Sequence, residues 1–203
     1  MTYVRTISGV EYDSNNNGVD ASTSVLMNIP YDHHEVHSGS MFYVLYSVAS
    51  LGAMTTPDDM ITLNWKTPDT TEWGHFQFFA TATAGGRIRL IEAPTGGAAS
   101  ATGTFTILNK NRNSVHTSTF TDTEGSPTAN QVSYDATLAT GGTTLWDQYL
   151  EGPTTGLGVT ARVSSSRDEI MLKQNTQYQL SLYGTATNGA TLYMVWYEHT
   201  DKN

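Results

Sequence analysis

MITLNWKTPDTTEWGHFQFFATATA, residues 60–84, decides the fold. Ile61, Leu63 and Trp65 alternate with Met60, Thr62, Asn64 and Lys66, and Phe76 and Phe78 share one face of the run that follows. A period of two is the mark of a strand with one buried face. Between the two runs, TPDTTEWG (67–74) turns the chain, and Pro68-Asp69 initiates the turn. The pattern continues outward. AGG (84–86) leads into RIRLIEAP (87–94), where Ile88 and Leu90 oppose Arg87 and Arg89. Upstream, MFYVLYSVASL (41–51) is a near-continuous apolar run, long for one strand, which predicts a bend or bulge. Downstream, TFTILNKNRNS (104–114) begins as a strand and turns polar, and 117–130 reads as a long loop. VSYDATL (132–138) alternates, and GGTTLWDQYLEG (141–152) is a strand or a short helix. DEIMLKQ (168–174), YQLSLYG (178–184) and ATLYMVWYE (190–198) close the chain, joined by Asn175-Thr176 and by ATNGA (186–190). The Asn-Gly pair there is a strong hairpin signal.

Roughly eight to ten short strands, with turn signals every 8–12 residues, predict an all-β fold. The expected architecture is an antiparallel β-sandwich, jelly-roll-like, over residues 25–203 as a single domain. No amphipathic helical pattern lies between the strands, which argues against a parallel α/β fold. Residues 1–24 are polar, with NNNG at 15–18, and read as an extended N-terminal arm.

Composition agrees. Charged residues are 14% of the 203, against roughly 25% in an average domain. Polar bulk comes from Thr, Ser, Asn and Gly, which favour short strands and tight turns. The net charge of −9 argues against nucleic acid and against an anionic membrane as partners, because cations are too few to neutralise phosphates. A positively charged protein surface remains compatible. The chain has no cysteine, which excludes disulfides, thiolate metal sites and a cysteine nucleophile. MTYVRTISGVEYDSNNNGVD at the N-terminus lacks an apolar core segment, so no signal peptide is expected. No stretch approaches the ~20 apolar residues of a membrane span.

YDHHEVHSGS (31–40) is the densest polar cluster. Three readings compete. On an extended strand His33, Glu35 and His37 would face one way and could coordinate a divalent ion. Their outer pair would then lie about 13 Å apart, too far to close on one ion without a bend. The HExxH spacing is absent, since His34-Glu35 is followed by Val36-His37. General acid–base catalysis is the second reading, but no activated nucleophile or triad-like context accompanies the histidines. The third is structural: polar positions just before the first core strand, at a sheet end or a subunit contact. We adopt the third, with no catalytic residue, no metal and no cofactor expected.

Other features are weighed alike. Asn109-Lys110-Asn111-Arg112-Asn113-Ser114 is either a contact patch or a solvated strand end. Arg167-Asp168-Glu169 suggests a local ion-pair cluster of small energetic value. PTTGLGV (153–159) and the GG pairs lack the strand-to-helix context of a phosphate loop. Tyr183, Tyr193, Trp196 and Tyr197 are candidates for stacking on sugar rings. In the last run Tyr193, Val195 and Tyr197 face one way and Met194 and Trp196 the other, so both faces are apolar, as in a sandwich interior or a subunit interface.

Five stretches, YDHHEVHSGSMFYV, LNWKTPDTTEWGHFQF, TILNKNRNS, SSRDEIMLKQNTQYQLSLYG and MVWYEHT, together resemble small all-β virion proteins of tailed bacteriophages, of the capsid decoration, cement or head-fibre type. The resemblance spans residues 31–199. It implies a non-enzymatic role: a structural protein made in the host cytoplasm and carried on the virion, bound to the major capsid protein, as a homotrimer. The alternative is a receptor- or glycan-binding module of a head or tail fibre, using exposed aromatics near Trp65, Trp73 or Trp146. A metal-dependent cupin-like enzyme is the third possibility, and bound metal in the purified protein would identify it.

Overall fold

The structure is a computed structural model that describes residues 5–7, 10–12, 18–19, 31–51, 60–83, 85–95, 102–123, 127–150, 161–164, 169–184 and 188–200. The PTTGLGV stretch, Asn15–Asn17, and Arg167-Asp168 lie outside the described residues, as does the side chain of His33. Within the arm, β1 (Arg5–Ile7), β2 (Val10–Tyr12) and β3 (Gly18–Val19) pair antiparallel as a small sheet of their own. Helix α1 (Tyr31–Ser38) follows. The remaining strands are β4 (Met41–Leu51), β5 (Met60–Lys66), β6 (Glu72–Ala82), β7 (Gly86–Thr95), β8 (Gly103–Thr106), β9 (Leu108–Asn109), β10 (Gln131–Tyr134), β11 (Gly141–Leu150), β12 (Ala161–Ser164), β13 (Ile170–Met171), β14 (Gln177–Tyr183) and β15 (Asn188–Thr200).

They form two antiparallel sheets packed face to face, a β-sandwich. One sheet has the order β11-β7-β14-β5-β10-β8 and the other β12-β6-β15-β4-β9, with β13 also pairing β6. Setting aside β8–β10 and β13, the order within the halves is β4-β15-β6-β12 and β5-β14-β7-β11. The first strand thus pairs with the last and the second with the next to last, which is the double Greek key of a jelly roll. The segment between β7 and β11 is an insertion that widens both sheets: β10 and β8 extend one beyond β5, and β9 extends the other beyond β4.

Alternation drives this arrangement. Ile61, Leu63, Trp65, Leu180 and Leu182 of one sheet meet Val44, Phe76, Phe78, Met194 and Trp196 of the other in a single buried cluster. Trp65 stacks between Phe76 at 5.0 Å and Tyr178 at 5.7 Å. Phe120 of the insertion lies flat on Trp196, 5.0 Å between ring centres, and seals one end of the core.

Three expectations are corrected. Residues 31–38 are helical, not the polar lead of a strand. The helix closes with Gly39 at φ +78°, its N–H bonded to the Val36 carbonyl and the Ser40 N–H to the Glu35 carbonyl, each at 3.1 Å. That pair of bonds is a Schellman cap, which needs a left-handed residue at this place. A Cβ at Gly39 would also fall 2.3 Å from the Ser114 hydroxyl. Gly39→Ala is therefore expected to cost at least about 1–2 kcal/mol in denaturant unfolding. The Asn-Gly signal makes no hairpin. Asn188 and Gly189 open β15, and β14 and β15 lie in opposite sheets, because Leu182 and Leu192 must both face the core between them. VSYDATL is a strand only to Tyr134. Asp135 turns at φ +53°, and the chain then crosses the outer face of the sheet. There the Ala136 carbonyl accepts from Thr62 Oγ1 at 2.7 Å, and the Ala139 N–H donates to Gln179 Oε1 at 2.8 Å. This crossing explains how Thr62, Asn64, Gln179 and Ser181 are fully buried on a face that alternation assigns to solvent.

Candidate functional site

Three of the stretches that carry the resemblance, 31–44, 106–114 and 194–200, meet at one end of the sandwich, where the Glu198 N–H bonds to the Ser40 carbonyl and the Lys110 N–H to the Met41 carbonyl. Helix α1 puts Glu35 inside, 5% exposed, and leaves His34 and His37 exposed. Because residues 31–38 are helical, His33, Glu35 and His37 do not form the row that an extended strand would give. Among the described residues no group of three or more His, Asp or Glu is placed to hold a metal ion. Glu35 instead meets the ring of His34 at 3.3 Å.

In the polar run 109–114, Arg112 and Asn113 are exposed, and the first two asparagines are bonded to backbone. Asn109 is buried, and its Nδ2 donates to the carbonyls of Gly39 at 2.7 Å and His116 at 3.1 Å. Its Oδ1 accepts from the Asn111 N–H at 2.8 Å, and Asn111 Nδ2 donates to the His37 carbonyl at 3.2 Å. Asparagine suits this work because its amide both gives and receives, and its short stem lets it close local turns. The run buckles the insertion to the helix cap.

Glu198, near the end of β15, is the second tie. Trp196 Nε1 donates to it at 2.7 Å, the Thr119 N–H at 2.8 Å and the Thr119 hydroxyl at 2.5 Å, and the Ser118 hydroxyl also bonds to it. Burial raises the pKa of this carboxyl, and the four donors offset only part of that rise. The sign follows directly. The folded chain holds the proton more tightly than the unfolded one, so the stability this proton contributes is present below the ordinary value of 4.5 and is lost as pH rises through the raised one.

On the outer face of the same sheet, rows of paired residues run across β6 and β15: His75 with Tyr197, Gln77 with Val195, Phe79 with Tyr193. His75 Nδ1 bonds to Glu169, which also accepts from the Tyr197 hydroxyl at 2.7 Å. The Nε2 atoms of His75 and His199 lie 2.7 Å apart, within hydrogen-bond distance of each other. The rows border a groove of about 470 Å³ that Lys110 also lines. Its floor is well covered: Val195 is 3% exposed and Tyr197 7%. Beyond the groove the face becomes apolar and open. Leu45 is 55% exposed and Leu108 38%, beside Tyr43 and Tyr193, whose rings lie 5.9 Å apart.

The aromatics expected as a glycan platform are placed otherwise. Trp65 is fully buried, Trp146 packs edge-on against Phe78 at 5.7 Å, and Trp73 is half-buried. Of the four stacking candidates, Tyr183, Trp196 and Tyr197 are buried and Tyr193 is half-buried at the groove. Sequence reading missed His75, Glu169 and His199 as a group. Glu169 and His199 lie 94 and 124 residues from His75, and no local spacing links them. No protein-family model, curated protein or solved structure matches the chain.

Proposed function

We propose that this chain is a non-enzymatic structural protein of a tailed-bacteriophage virion, which binds the major capsid protein at the head surface as a homotrimeric decoration or cement protein. One observation carries the reading. Three of the stretches that resemble such proteins, 31–44, 106–114 and 194–200, meet at one end of the sandwich, and their polar groups are tied down there: Asn109 to the helix cap, Glu198 to Trp196 and to the insertion. That is how a rigid contact end is built. Beside it stands the open apolar face of Leu45, Leu108, Tyr43 and Tyr193, the type of patch that marks a protein contact. A net charge of −9 suits a basic lattice surface. Contacts made only with the assembled lattice would stabilise the shell by mass action.

The test is co-sedimentation with capsids that lack the protein. Leu45→Asp and Leu108→Asp place a charge on the open face without disturbing the core. Each is expected to weaken capsid binding at least about tenfold, since a buried unpaired charge is costly. Folding stability should stay within about 0.5 kcal/mol of the parent. Undiminished binding by both variants would remove this face as the contact.

A further inference from the structure

We infer that His75 and His199, on the outer face of the β6–β15 pair, form a two-histidine binding site for a late transition-metal ion of the zinc type. The inference goes beyond capsid attachment and does not rest on it.

Strand pairing builds the site. In the antiparallel register His75 stands opposite Tyr197, and His199 lies two residues further along β15, opposite Trp73. The two histidines are thus diagonal neighbours on one face, within reach of each other's rings. The rings stack with centres 4.5 Å apart, and the Tyr197 ring stacks on both, at 4.5 Å from His75 and 5.7 Å from His199. β13 pairs with β6, Ile170 opposite Phe76, and this brings Glu169 alongside His75.

Two neutral rings hold too few protons for the contacts they make. His75 Nδ1 bonds to the Glu169 carboxylate, which also accepts from the Tyr197 hydroxyl at 2.7 Å. His199 Nδ1 lies 3.2 Å from the Thr200 carbonyl. A carboxylate and a carbonyl only accept, so each Nδ1 carries its ring's proton. A neutral imidazole has one N–H, and both Nε2 atoms then present lone pairs. Those two atoms are 2.7 Å apart. Moving the His199 proton to Nε2 only relocates the conflict, because its Nδ1 lone pair then meets the Thr200 carbonyl. Two lone pairs this close need a cation between them, either a proton or a metal ion.

The surroundings favour the metal. A ligating histidine commonly donates its other N–H to a carboxylate or a backbone carbonyl, which fixes the ring and makes the ligating nitrogen more basic. Glu169 supplies the carboxylate and Thr200 the carbonyl. Zinc–imidazole bonds are about 2.0–2.1 Å long, so two tetrahedral ligands stand roughly 3.3 Å apart. The pair opens by about 0.6 Å to admit the ion, a shift that side-chain rotation supplies because both histidines are only partly buried. Imidazoles suit zinc, copper and nickel, whereas magnesium prefers oxygen ligands. With two protein ligands, the remaining positions on the ion go to water, and the site is an open one.

Long-range proton–nitrogen correlation spectra of the histidine rings test this, because each ring reports separately. They are recorded on the full chain at neutral pH during titration with zinc chloride. The Nε2 resonances of His75 and His199 are expected to move together and to saturate, while magnesium chloride moves neither. His199→Gln should weaken the zinc response of His75 at least about tenfold, and His75→Gln that of His199. Glu169→Gln should weaken both about tenfold or more by removing the carboxylate that orients His75. His37→Gln, on the exposed part of α1, should change neither. Far-ultraviolet circular dichroism of each variant separates lost binding from lost folding, and His199→Gln carries the test if His75→Gln does not fold. No movement of either Nε2 resonance at about 1 mM zinc would overturn the inference and leave a shared proton as the cation between the rings. So would a zinc response of His75 that a folded His199→Gln variant retains in full. Capsids do not enter the measurement, so its failure and the failure of capsid attachment are told apart.

Discussion

Glu198→Ala is expected to lower the unfolding free energy by roughly 2–4 kcal/mol, because it strands buried donors that a carboxylate now satisfies. Trp196 Nε1–H, the Thr119 N–H and the hydroxyls of Ser118 and Thr119 all turn toward this one group, which is 8% exposed. The loss should come with a loosened insertion: amide exchange should rise first at residues 117–120, where the tie is made. Glu198→Gln is the informative control. It keeps the volume and one acceptor, and the hydroxyls of Ser118 and Thr119 can rotate to accept from the new amide. Its cost should be below that of alanine. It should also abolish one pH effect. In the parent chain, the stability contributed by the Glu198 proton declines as pH rises from the ordinary value of 4.5 through the raised folded value. Urea unfolding across that window should show the parent losing ground to Glu198→Gln as pH rises. Parallel curves would show that the carboxyl is not strained by burial.

The second large effect belongs to Trp65. It has no exposed surface and stacks between Phe76 and Tyr178, which come from opposite sheets. Trp65→Ala should cost roughly 3–5 kcal/mol through lost contact and the cavity left behind. Its Nε1 is buried and makes no hydrogen bond among the described residues. Trp65→Phe should therefore cost less than its loss of volume alone implies, since it also removes an unsatisfied donor. Equal costs for the two variants would mean that Nε1 has a partner in solution.

The sandwich was legible because its cause is local. Ile61, Leu63 and Trp65 alternate with polar neighbours, as do Phe76 and Phe78, and strand periodicity sends them to a common core. The long apolar run of β4 foretold an irregularity, and a register shift does occur where it meets the start of β15. Residues 31–38 were misread because every second residue from His33 to His37 is His or Glu, which imitates a strand face. The stronger signal was Gly39, placed to cap a helix. The Asn-Gly pair before β15 misled for a different reason. Turn chemistry describes a bend, but whether the chain returns to the same sheet or crosses to the other is set by where the apolar faces must go. The site was least legible of all. Its members are brought together by strand order: β15 lies between β6 and β4, β9 flanks β4, and β13 pairs with β6, so residues from 35 to 199 become neighbours. Nothing in a single sequence displays that order. What could be seen was that the unusual polar stretches avoid the alternating runs and so must lie at strand ends or beyond.

Attachment to the phage head is the central claim, and the most direct measurement is immunogold labelling of intact virions from a producing culture, with antibody raised to this protein. Label distributed over the head is the expected result. Virions that carry no label, or carry it only on tails, would contradict the account.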